Sequence, residues 1–135
     1  MTHAYSTGPM ENTGSNRSAL VFTKVLNNDH CRPVQATIRV FGLNGTKTLI
    51  DTVTLAIGPL ASNYHTTDVS LTPEFEVEVA IFPRKAAEDV LVGVFGKLDS
   101  GDLNPSHRLV HREMTPIDDL CFPFDDPGAV SVGRR

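Results

Sequence analysis

The chain has 135 residues, 40 % of them hydrophobic and 21 % charged, which is enough apolar material for one domain and too much for a disordered polyampholyte. A formal net charge of −4, with Lys and Arg scattered, gives no basic stripe or aromatic platform of the nucleic-acid-binding kind, which excludes DNA and RNA as expected partners. No segment approaches the roughly 18 consecutive apolar residues of a membrane span, and no lipidation signature is evident.

Met1 to Arg17 is rich in Thr, Ser, Asn and Gly and has neither a period of two nor of 3.6, so it reads as a flexible arm. It lacks the charged start and apolar stretch of a secretory signal, and the expectation is a chain outside the Sec route. Ala19 to Leu26 is β-rich and ends at Asn27-Asn28-Asp29, a cluster that favours turns. Val34, Ala36, Ile38 and Val40 alternate with Gln35, Thr37 and Arg39, the mark of a half-buried strand. Asn44-Gly45 follows and supplies the positive φ angles of a tight hairpin.

Lys47 to Ile57 places Leu49, Asp51, Val53, Leu55 and Ile57 on one face before Gly58-Pro59, and Ser62 to Val69 is a Thr-rich edge strand. Phe75, Val77, Val79 and Ile81 alternate with Glu74, Glu76 and Glu78 until Pro83, which predicts a core face backed by a solvated line of carboxylates. Arg84 to Glu88 is one helical turn at most. Val90 to Phe95 is nearly continuous apolar, as in a central strand, with a turn at Asp99 to Asp102 and a last strand over His107 to Met114. The expected fold is a single all-β antiparallel sandwich over residues 18–116, immunoglobulin-like or jelly-roll, with an arm at 1–17 and a tail at 117–135 that carries Leu120, Phe122 and Phe124.

No motif of a hydrolase, zinc protease, nucleotide loop or dinucleotide site is present, so no catalytic, cofactor-binding or metal-ligating residue is assigned and no cofactor is expected. His107 and His111 on one strand would stand about 13 Å apart, too far for one zinc, and read as outward-facing histidines. His30-Cys31 are sequence neighbours that do not point at each other, so no nucleophile dyad is read there. Cys31 and Cys121 are too few for a disulfide framework, and whether they pair within or between chains stays open. Asn16-Arg17-Ser18 and Asn44-Gly45-Thr46 match the glycosylation pattern, the second being a turn first.

Three stretches, Val40-Phe41-Gly42-Leu43-Asn44-Gly45-Thr46, Asp89-Val90-Leu91-Val92-Gly93-Val94-Phe95-Gly96-Lys97 and His107-Arg108-Leu109-Val110-His111-Arg112-Glu113, resemble small β-sandwich proteins of endospore-forming bacteria, some associated with spore surfaces and appendage-like fibres. The similarity covers about Ser18 to Ile117. It implies a sandwich fold, no catalytic residues, and a spore-surface or extracellular location reached without a Sec signal. Fibre subunits of that kind carry a cysteine in an N-terminal connector, which Met1 to Arg17 lacks. The expected function is a non-enzymatic structural subunit that associates with itself through its termini into a filament or layer. The alternatives are a module that recognises a glycan or protein through the loops at 27–33, 58–63 and 99–106, or a virion component.

Overall fold

The computed structural model describes residues 2–117 and is an all-β sandwich of two antiparallel sheets. Its strands are β1 (His3–Ser6), β2 (Met10–Glu11), β3 (Leu20–Asn27), β4 (Val34–Leu43), β5 (Lys47–Ile57), β6 (Ser62–Asp68), β7 (Glu74–Phe82), β8 (Val90–Lys97), β9 (Leu103–Leu109) and β10 (Thr115–Ile117). The first sheet runs β10-β1-β7-β4-β5, with β2 also on β7, and the second runs β6-β3-β8-β9. Hairpins keep β4 with β5 and β8 with β9, while the other connections from β3 onward cross between sheets.

Alternation decides what fills the space between the sheets. Val34, Ala36, Ile38 and Val40 of β4 and Phe75, Val77, Val79 and Ile81 of β7 meet Val21 and Val25 of β3 and Val90, Val92 and Val94 of β8 in one buried cluster. Each Val, Ile or Phe among them contributes about 1.5–3 kcal/mol on burial. A short 3₁₀ turn over Arg84–Asp89 follows Pro83 and adds buried Ala86 and Ala87 beneath it.

The N-terminal segment is not a free arm. His3 to Ser6 pair with Glu78 to Ile81, and Met10 and Glu11 pair with Phe75 and Glu74, so the segment borders β7 along its length. Gly8, at φ 72°, and Pro9 interrupt the ladder. Thr7 spans the gap, its backbone N–H donating to Val77 O and its hydroxyl accepting from Val77 N, each at 3.0 Å. Two strands of four and two residues are too short for a period to show, and their partner lies some seventy residues away.

The predicted last strand also divides. β9 ends at Leu109, a 3₁₀ turn occupies His111–Glu113, and β10 then pairs with β1, so the sandwich extends to Ile117. The rest of the expected tail, 118–135, lies outside the described residues.

At the β4–β5 hairpin three residues, Asn44 to Thr46, separate the paired Leu43 and Lys47, and only Gly45 has positive φ, at 90°. Asn44 therefore does not supply the second positive φ of a two-residue turn. An added Cβ at Gly45 meets nothing within 4 Å, so its conformation alone sets the cost. Gly45→Val is expected to lower stability by about 1 kcal/mol or more, and Asn44→Ala by less than about 0.5 kcal/mol, in urea unfolding. Equal effects would contradict this turn geometry.

Candidate functional site: an aromatic face and a buried carboxylate cluster

The outward face of the four-stranded sheet is built by register. Phe22 on β3 lies between Thr66 of β6 and Phe95 of β8, which in turn pairs with Arg108 of β9. In the next row Lys24 separates Tyr64 from Gly93, and beyond it Leu26 lies between Ser62 and Leu91. On the other side Leu20 lies between Asp68 and Lys97, which pairs with Leu103. The Phe22 and Tyr64 rings stack with centroids 5.8 Å apart. Lys24 Nζ stands 5.9 Å from the Tyr64 centroid and 6.0 Å from that of Phe95, and Lys97 Nζ stands 4.6 Å from that of Phe22. The lysines thus lay their stems on the rings and hold their charges at the surface.

This face is open. Tyr64 is 55 % exposed, Leu91 42 % and Leu103 60 %. Strand alternation normally places polar residues there, and the apolar and aromatic side chains on this face make it the candidate site. Residues scattered in sequence, Lys24, Lys97 and Arg108 beside Phe22, Tyr64 and Phe95, converge here because β3, β8, β6 and β9 are neighbours.

The other sheet reverses the reading of the glutamates. β7 is central, flanked by β1 and β2 on one side and β4 on the other, and side chains of its neighbours, Ser6 of β1, Phe41 of β4 and Lys47 of β5, gather over its outward glutamates. Glu76 and Glu78 are buried. Lys47, from the first position of β5, bridges them, with Nζ 3.0 Å from Glu76 Oε1 and in contact with Glu78 Oε2. Phe41 packs its ring 4.4 Å from the same Nζ, and Ser6 Oγ donates to Glu76 Oε2 at 2.5 Å.

Both carboxylates contact Lys47 and lie close to each other, and one of them holds its proton more tightly. Burial first, and then the neighbouring Glu76, push the Glu78 carboxyl up to about 7. Burial also opposes the charge of Glu76, but hydrogen bonds from Glu78, Ser6 and Lys47 outweigh it and bring its pKa below the usual value. Burial likewise opposes the Lys47 charge, and the two carboxylates raise its pKa above that of an ordinary lysine.

The sign of the resulting pH dependence follows from Glu78. Below its unfolded value of 4.5 both states carry the proton, and its stabilising contribution is complete. As pH rises toward 7 the unfolded chain releases that proton while the folded chain retains it, so stability declines by up to about 1.4 kcal/mol per pH unit. Burial lowers the pKa of His111, an effect of opposite sign, so the Glu78 contribution is the difference between wild type and Glu78→Gln. That difference in unfolding free energy should change between pH 5 and pH 8; a constant difference would remove the protonated Glu78.

The remaining sequence candidates are dispersed. His107 is buried rather than outward-facing: its Nε2 contacts Glu11 O at 2.7 Å and its Nδ1 contacts Ser18 Oγ at 2.7 Å. With Nε2–H donating to that carbonyl, Nδ1 accepts from the serine hydroxyl, the pairing of a nucleophile with its base. Ser18 is wholly buried and its Oγ also accepts from Asn104 Nδ2 at 2.9 Å, so the pair ties β9 to the start of β3 instead of meeting a substrate. His111 lies in the following 3₁₀ turn, where Nδ1 accepts from Val92 N at 3.2 Å. Among the described residues no group of three or more His, Cys, Asp and Glu gathers as a metal site, and no helix is long and apolar enough to cross a membrane.

Cys31 is exposed in the β3–β4 loop, and Cys121 lies outside the described residues. Asn27 donates to Ile57 O and Gly58 O and so ties the loops at 27–33 and 58–63 into one end of the sandwich. The β8–β9 turn, with Gly101 at φ 94°, closes the opposite end, and a strand already begins at Leu103. The loops at 27–33 and 58–63 therefore share one end of the sandwich, and the β8–β9 turn lies at the other. Beside that turn an open depression of about 360 Å³ lies between Arg17, Ala19, Ser70 and Asp99.

Comparison with protein-family models, curated proteins and solved structures finds no match. The molecule is thus defined by its fold, a two-sheet sandwich, and by the two unlike outward faces just described.

Proposed function

We propose that the protein is a non-enzymatic structural subunit that associates with itself into a filament or layer. The observation that carries this reading is the exposed aromatic and leucine face of the four-stranded sheet, whose rigid strands present a ready-made contact surface. Its location at a spore surface or other extracellular layer rests on the sequence resemblance alone. Since the N-terminal segment pairs with its own β7, the contact between subunits is assigned to this face rather than to an arm of residues 1–17.

A binding module is the second reading, favoured by the stacked Phe22 and Tyr64 rings, and it would place a ligand on the sheet rather than on the loops. Sedimentation velocity of the purified full chain over a range of concentrations separates the two. Self-association that disappears in a Leu26→Ser, Leu91→Ser variant with an undiminished thermal melt supports the structural reading. A wild-type chain that stays monomeric throughout overturns it.

A further inference from the structure

The aromatic face carries Lys24, Lys97 and Arg108 against a single carboxylate, Asp68, in a chain whose net charge is −4. Two copies of this face would meet with like charges, which disfavours a symmetric face-to-face pair. The complementary surface must be acidic and apolar together. One stretch of the chain has that composition: after Ile117 the sequence continues Asp118-Asp119-Leu120-Cys121-Phe122-Pro123-Phe124-Asp125-Asp126, with four carboxylates bracketing three large apolar side chains. Ile117 itself lies in β10, the edge strand of the opposite sheet, so this stretch departs from one layer of the sandwich and the cationic face belongs to the other.

Resting on the structural reading above, we propose that Asp118 to Asp126 of one copy binds the Phe22, Tyr64 and Phe95 face of a second copy, a head-to-tail contact. The carboxylates meet Lys24, Lys97 and Arg108, and Leu120, Phe122 and Phe124 cover the rings and the neighbouring leucines. Donor and acceptor are different surfaces of one chain, so the contact repeats without closing unless the rotation between copies forms a ring. A single-stranded nucleic acid also fits cations and rings, but it offers no aliphatic groups to Leu26, Leu91 and Leu103 and is repelled by the net charge of the chain.

The test uses two full-chain variants, Phe122→Ser with Phe124→Ser, and Lys24→Glu with Lys97→Glu, checked for an unchanged thermal melt. Each alone is expected to sediment as a monomer, and an equimolar mixture as a one-to-one dimer, because one supplies an intact face and the other an intact segment. A synthetic peptide of residues 118–126 should dissolve wild-type assemblies, and its affinity should weaken by about tenfold between low and high salt. If wild type assembles and both variants still assemble like it, this contact is wrong while the structural reading stands. Variants that stay monomeric when mixed place the segment on its own copy, and a wild-type chain that binds oligothymidine but not the peptide assigns the face to nucleic acid. Either result overturns the proposal. A wild type that never assembles removes the structural reading itself.

Discussion

Val79→Asp is expected to remove most or all of the stability of the fold. Val79 is fully buried at the middle of β7, where it pairs with Tyr5 on one side and Ile38 on the other and faces the shared core. A carboxylate there has no cation within the cluster, and leaving a charge unpaired in such a site costs about 3–5 kcal/mol or forces the group to stay protonated. Against the 5–15 kcal/mol typical of a whole domain, that loss shifts the unfolding midpoint far down or abolishes cooperative unfolding. The adjacent Glu78 points to the other face, so Glu78→Gln removes a titrating group without placing a charge in the core and should cost less than about 2 kcal/mol. Comparable losses for the two substitutions in urea unfolding at pH 7 would overturn the assignment of faces on β7.

Asn12→Ala should cost about 3 kcal/mol and release the N-terminal segment. Asn12 is almost wholly buried just past β2, and its amide nitrogen donates to Ser18 O at 3.1 Å, Val69 O at 3.0 Å and Thr72 O at 3.0 Å. Its Oδ1 accepts from Ser18 N at 2.6 Å. Alanine leaves these backbone groups without that partner, and each buried group left unsatisfied costs about 1–3 kcal/mol where water cannot replace the side chain. Asn12→Asp is the informative companion, because it keeps the size and the acceptor but turns a donor into a carboxylate facing three carbonyls. It should be no better tolerated than alanine. Hydrogen exchange would show accelerated loss of protection at Thr7 and Asn12, whose amides bond to Val77 O and Pro73 O. A neutral result for both variants would mean that β2 is held by its ladder alone.

The sequence by itself determined the fold class and most strand positions, because alternation is a local property. Lys47 to Ile57 is a strand with the predicted bounds, and Phe75, Val77, Val79 and Ile81 all face the core, since a two-residue period with one apolar face has a single way to bury itself. Two kinds of feature depended on partners distant in the chain, and tertiary structure alone decided them. The pairing of His3 to Glu11 with β7 shows no local period, and it brings Ser6 to Glu76 while Lys47 reaches from β5 to both Glu76 and Glu78, which are buried on a face that alternation marks as solvated. His107 likewise reads as a surface residue until the fold brings Ser18 and Glu11 to its two ring nitrogens. The aromatic face follows the same rule: Phe22, Tyr64 and Phe95 come from three strands, and only the order β6-β3-β8-β9 places their rings and the cations between them on one surface. Periodicity specifies which side of its own strand a residue occupies, whereas strand order decides what covers that side.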